Sequence, residues 1–124
     1  MKLVEIPNFC DLAMTSNDPY QRDRDQWPLF RTKNAEALLE KSKGFIDYVS
    51  ERGVRPVLCY YFHPWEFHAM PRGPIDFGEA SVKPLDFITL NCGDVACQEF
   101  DKLLSGLHKM GGVFKTAGNL ASEY

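Results

Sequence analysis

Residues 63–68 read His-Pro-Trp-Glu-Phe-His, the densest run of reactive side-chain types in the chain. An imidazole close to a carboxylate is equipment for acid–base work near neutral pH, because histidine exchanges its proton in that range without large tuning. Pro64 biases His63 towards an extended backbone and turns the chain outward. His63 is therefore the candidate acid–base group, with a structural histidine as the competing reading. Glu66 is the carboxylate that would fix its tautomer or pair with Arg72. Trp65 is either a ring face for a ligand or a packing lid. His63, Glu66 and His68 form only a loose zinc pattern, and Cys92 with Cys97 an equally loose one. His68 and His108 read as surface residues, and Glu5 as a weaker cleft candidate. The four cysteines read as reduced thiols, since a chain of 124 residues can build a core without disulfides.

The elements that must position these groups follow from periodicity. A short strand is expected over 2–6, stopped by Pro7, and then a long loop to about Asn34. Within that loop Arg22, Arg24 and Arg31 are candidates to meet an acidic ligand, although Asp18, Asp23 and Asp25 cancel most of their field. Ala35, Leu38, Leu39, Phe45, Ile46 and Val49 have helical spacing, with Asn34 as N-cap and Gly53 past the end. Val57–Phe62 is six consecutive apolar residues, which predicts a parallel strand buried on both faces, with His63 at its carboxyl end, where α/β folds place their ligands. A second long loop follows, with a short strand at Phe87–Leu90. Asp94 is then expected to cap a helix whose stripe is Phe100, Leu103, Leu104, Leu107 and Met110, and a third strand at Val113–Thr116 precedes a helical stub. The predicted fold class is α/β: parallel strands with outer helices in a single partial domain over residues 1–124. A closed barrel of that kind typically needs ~250 residues.

The string YYFHPWEFHAMPRGPIDFGEA, the NCGD helix start and a last strand leading to Thr116-Ala117 resemble the C-terminal portion of polysaccharide deacetylases of the chitooligosaccharide deacetylase (NodB-like) family. The resemblance is strongest from Pro56 to Asp101. It implies part of an incomplete (β/α), TIM-like barrel and a metal-dependent hydrolase that removes N-acyl groups from sugars. His63 matches the family's histidine that protonates the leaving amine, and Trp65, Glu66 and Arg72 would line the substrate. Complete relatives use a divalent metal, usually zinc, held by an aspartate and a His-x-x-x-His pair, with a second aspartate as base. This sequence has neither an Asp-Asp pair nor a His-x-x-x-His, so metal ligands and base are not assigned and the isolated chain is expected to be inactive. The rival reading is a non-catalytic carbohydrate-binding or oligomerising remnant of the fold.

Composition limits the partners. Seventeen acidic against fourteen basic residues give a net charge of −3, the wrong sign for tracking phosphates, so nucleic acid is not expected. No run approaches the roughly 18 apolar residues of a membrane span, and the N-terminus lacks the pattern of a signal peptide, so a cytoplasmic location is expected. The expected partners are the missing N-terminal half of the barrel or a second copy, together with a carbohydrate.

Overall fold

The computed structural model describes residues 3–12, 17 and 29–124. Arg22, Arg24, Asp18, Asp23 and Asp25, and the first residue of the expected 2–6 strand, lie outside the described residues. The element order is helix α1 (Leu29–Thr32), helix α2 (Ala35–Ser50), a 3₁₀ turn (Pro64–Phe67), strands β1 (Ile75–Asp76) and β2 (Ser81–Val82), and helices α3 (Asp86–Thr89), α4 (Asp94–Lys109) and α5 (Ala117–Ala121).

Helix α2 forms where the periodicity puts it. The Asn34 side chain accepts the Ala37 N–H at 2.9 Å, and Ala35, Leu38 and Val49 are buried on one face. A second donor of the same helix end is met from α4, because Glu99 accepts the Ala35 N–H at 2.7 Å. Lys102 and that backbone amide hold the Glu99 carboxyl below its ordinary range. In α4 the buried face is Ala96, Leu103 and Leu107 with Phe100 half-buried, while Leu104 and Met110 of the expected stripe stay exposed. Gly93, not Asp94, is the N-cap, and Asp94 is the first helical residue. Helices α1, α2 and α4 pack on one another. Their closest approach is at Gly106, where a Cβ would lie 2.3 Å from Leu39 Cδ1.

The fold class expected from the sequence is overturned. No parallel sheet forms among the described residues, and their sheet is the two-stranded antiparallel pair β1–β2, with Ile75 opposite Val82 and Asp76 opposite Ser81. Helices and irregular chain make up the rest, so this is not a portion of a parallel-strand barrel. The reason lies in the backbone, since a strand exists only when a neighbour completes its ladder. Among the described residues one hydrogen bond ties the 57–62 run to another segment, from Phe9 N–H to the Cys59 carbonyl at 2.7 Å. Leu3, Val113 and Phe114, in the other two expected strands, are 85%, 77% and 60% exposed and do not pack beside it. The expected strand at Phe87–Leu90 is replaced by the single turn α3.

What the 57–62 run does is line the helices. Leu58, Tyr60 and Phe62 pack against the core of Phe9, Phe30, Ala35, Leu38, Ala96, Leu103 and Leu107. This alternate spacing places Tyr61 and His63 on the other side. Aromatic rings fill the space between chain and helices. Phe62 meets Phe30 at 5.1 Å and Phe100 at 4.9 Å, both edge-to-face, and Phe67 meets Phe100 at 5.2 Å. Such pairs add to area burial, so the core is held by ring geometry as well as by exclusion of water. Buried Ser42 donates to the Leu38 carbonyl at 2.6 Å and lies 2.5 Å from the Tyr60 hydroxyl, which anchors the run to α2. No helix among the described residues is long and apolar enough to cross a membrane.

Two outcomes are expected. Leu103→Ala, which empties a fully buried position, lowers stability by about 2–5 kcal/mol in urea unfolding, with the slope of the transition unchanged. The Tyr60 hydroxyl is pushed up to about 12 by burial, against the opposing pull of its Ser42 hydrogen bond. Its contribution is thus complete below pH 10, the ordinary tyrosine value, and is lost as pH rises towards about 12, because the unfolded chain ionises first. Unfolding midpoints at pH 8, 10 and 11 decline less in Tyr60→Phe than in the parent.

Candidate functional site

His63 ends the extended run, with φ −99° and ψ 134°, the backbone required of a residue before proline. Pro64 has no N–H to lose at the first position of the 3₁₀ turn, so the chain can tighten immediately after the histidine. The turn then closes on itself. The Glu66 N–H donates to the His63 carbonyl at 3.0 Å, and Glu66 Oε2 accepts the His63 N–H at 2.7 Å. The same oxygen lies 3.6 Å from His63 Nδ1.

Glu66 is wholly buried and so is its counter-ion. Arg31, from α1, donates from Nε to Glu66 Oε1 at 2.6 Å, and both side chains are 0% exposed. Arg31 also donates from Nη1 to the carbonyls of Phe87 and Leu90, each at 2.7 Å. Its own carbonyl accepts from the Asn91 side-chain amide at 2.8 Å. The segment that supplies these contacts is shaped for them: Asn91 has φ +56°, left-handed backbone that a non-glycine residue seldom adopts. Gly93 follows at φ +80° and donates its N–H to the Glu66 carbonyl at 2.8 Å, and a Cβ there would sit 3.2 Å from the Ala69 nitrogen. Close backbone approach and positive φ both require glycine at this position.

Aromatic rings flank the imidazole. The Tyr61 ring stands edge-on at 5.6 Å and the tilted Trp65 indole is at 5.4 Å. Trp65 is half-buried, and the Arg31 guanidinium lies 5.3 Å from its ring centre, so the indole sits between cation and histidine. The His63 side chain keeps 40% of its surface open. Nearby, burial pushes the Cys92 thiol up, with Arg31 opposing.

The structure thus brings three of the four site residues expected from the sequence together, His63, Trp65 and Glu66, and leaves the fourth aside. Arg72 is exposed on the loop beyond and makes no ion pair among the described residues; Arg31 takes the place as partner of Glu66. His68, His108 and Glu5 are exposed. Arg31, grouped by sequence with a field of loop charges, is the residue that sequence reasoning misplaced. Nothing in its spacing marks it, because its partner is 35 positions away.

No group of three or more His, Cys, Asp or Glu side chains converges as a metal site among the described residues. The divalent metal implied by the resemblance does not fit the residues around His63 either. Glu66 spends one oxygen on a guanidinium and the other on a backbone amide, which leaves no donor set for an ion. What the arrangement offers is a solvent-facing imidazole backed by a carboxylate, the pairing that orients a proton-transfer group. Comparison with family models, curated proteins and solved structures finds no match to this chain.

Removing either member of the buried pair strands the other. Glu66→Leu or Arg31→Met alone is expected to cost about 3–5 kcal/mol. The double replacement costs clearly less than the sum, as read from a double-mutant cycle of urea unfolding free energies.

Proposed function

We propose that this chain carries the proton-donor element of a polysaccharide-deacetylase-like hydrolase that removes N-acyl groups from sugars. The observation that supports it is the His63–Glu66–Arg31 arrangement: an accessible imidazole whose Nδ1 side faces a buried, charge-compensated carboxylate. Expulsion of an amine from a tetrahedral intermediate needs a proton delivered to nitrogen, and an imidazolium beside a fixed carboxylate delivers one near neutral pH. In this reading His63 gives that proton, Glu66 orients the ring, and Trp65 with Arg72 contacts the sugar.

The sequence holds neither the Asp-Asp pair nor the His-x-x-x-His of complete relatives, so turnover needs a second polypeptide that contributes them. The proposed partner is an extended segment that pairs with the 57–62 run, whose backbone has a single inter-segment hydrogen bond among the described residues. The rival, a carbohydrate-binding module without chemistry, draws on the Tyr61, His63 and Trp65 rings, which could receive a sugar face without any proton transfer.

The test mixes the chain with candidate N-terminal halves bearing the missing motifs and measures acetate released from N-acetylated chitooligosaccharide, with and without zinc. The expected result is release by the mixture, none by the chain alone, and a loss of about 10²–10⁴-fold in kcat for His63→Ala. Release that His63→Ala leaves unchanged overturns the role of His63. A folded, silent mixture that still shows saccharide-dependent shifts of the Trp65 resonance favours the binding module.

A further inference from the structure

We infer that Arg31 is a positioning residue for His63, acting through Glu66 to hold the imidazole as its Nδ1–H tautomer. The argument starts from the carboxylate. A buried Glu66 has two oxygens and no water to satisfy them, so its orientation follows its donors. Arg31 Nε takes Oε1 at 2.6 Å. That contact turns Oε2 towards His63, where it accepts the backbone N–H at 2.7 Å and faces Nδ1 at 3.6 Å. An acceptor beside Nδ1 favours the proton on that nitrogen and presents Nε2 on the open side of the ring.

Arg31 can impose this because it is itself immobilised. Two carbonyls, of Phe87 and Leu90, fix one end of the guanidinium, and the Asn91 amide fixes the Arg31 carbonyl. Asn91 keeps its left-handed backbone in doing so, a conformation that persists where surrounding contacts determine it. The guanidinium also touches the indole that stands beside the imidazole, so a single side chain bears on the histidine from beneath, through Glu66, and from the flank, through Trp65. Lysine would supply the charge but not the planar fork that meets a carboxylate and two carbonyls at once.

The catalytic consequence rests on the proton-donor reading; the tautomer itself does not. Long-range proton–nitrogen spectra of the ¹⁵N-labelled full chain, recorded above the imidazole titration, report the tautomer of each of the three histidines. His63 is expected as Nδ1–H, with exposed His68 and His108 as internal references. Glu66→Gln and Arg31→Gln are both expected to abolish the Nδ1–H preference of His63 without moving the references, and Arg31→Lys to restore it in part. If Arg31→Gln does not fold, Arg31→Lys decides, with a His63 tautomer share intermediate between parent and Glu66→Gln. A parent His63 already in the Nε2–H form, or a folded Arg31 variant with the parental His63 signal, overturns the inference. In an active mixture the Arg31 variants lower kcat about 10- to 100-fold with little change in KM, the range met when the outer partner of a working histidine is removed. Tautomer shifts without acetate release in any mixture leave Arg31 in place and remove the hydrolase reading alone.

Discussion

The contact on which the rest depends is the ion pair between Arg31 and Glu66, closed from solvent on both sides. Taking two charges out of water is expensive, and the low-dielectric attraction between them offsets that cost only when every remaining donor and acceptor is met. The chain meets that condition with main chain drawn from separate places: the His63 amide, the Gly93 amide, and the carbonyls of Phe87 and Leu90. Each of these is a constraint on where a segment runs. The 3₁₀ turn, the stretch into α4 and the short α1 are placed by a shared electrostatic requirement as much as by apolar burial. The left-handed Asn91 and the glycine at 93 are the local backbone consequences of it.

Apolar burial does a different job. The fully buried Leu38, Leu103 and Phe30, with the rings of Phe62, Phe67 and Phe100 around them, join α1, α2 and α4 to the extended run. Dispersion between rings is short-ranged and directional, so the run that carries Tyr60 and Phe62 is held against the helices without a backbone ladder. Ser42 and Tyr60 add a polar tie within this apolar layer. The combination explains how residues 57–62 stay extended while forming no strand, and why the histidine at their end has a defined position.

The local features that rest on short-range chemistry were legible in the sequence. Asn34 as N-cap, the α2 stripe, the α5 stub, and the turn that Pro64 starts after an extended His63 all depend on neighbours within four residues. The pairing of His63 with Glu66 was legible for the same reason, since three residues across a tight turn bring them together. The fold class was not, because Val57–Phe62 reads alike as a doubly buried strand and as a coil pressed on a helical core. Only partners distant in sequence decide between the two. Asp86–Thr89 went from expected strand to helical turn beside the carbonyls that Arg31 claims. Arg31 itself was unreadable: a guanidinium becomes a site residue through what it reaches, and nothing at positions 29–32 announces a carboxylate at 66.

The two faces of His63 are unequal, and that inequality bears on chemistry. Behind the ring stands a rigid, dry, charge-balanced support that resists reorganisation when the imidazole changes its proton. In front is an open ring surface, flanked by Tyr61 and Trp65 and continuous with a run whose main chain has few partners among the described residues. A half-buried backbone that lacks a ladder must satisfy its amides with water or with another extended chain. Elsewhere Leu3, Val113 and Phe114 expose large apolar side chains, which water tolerates singly but which also suit burial against a partner. A preorganised rear wall and an unbounded front fit a proton donor whose reacting partner is brought to it, because the donor's orientation is already fixed before anything arrives. A merely structural histidine gains nothing from this, since its ring would be locked by packing on all sides and the buried pair behind it would add desolvation cost with no orientation to maintain.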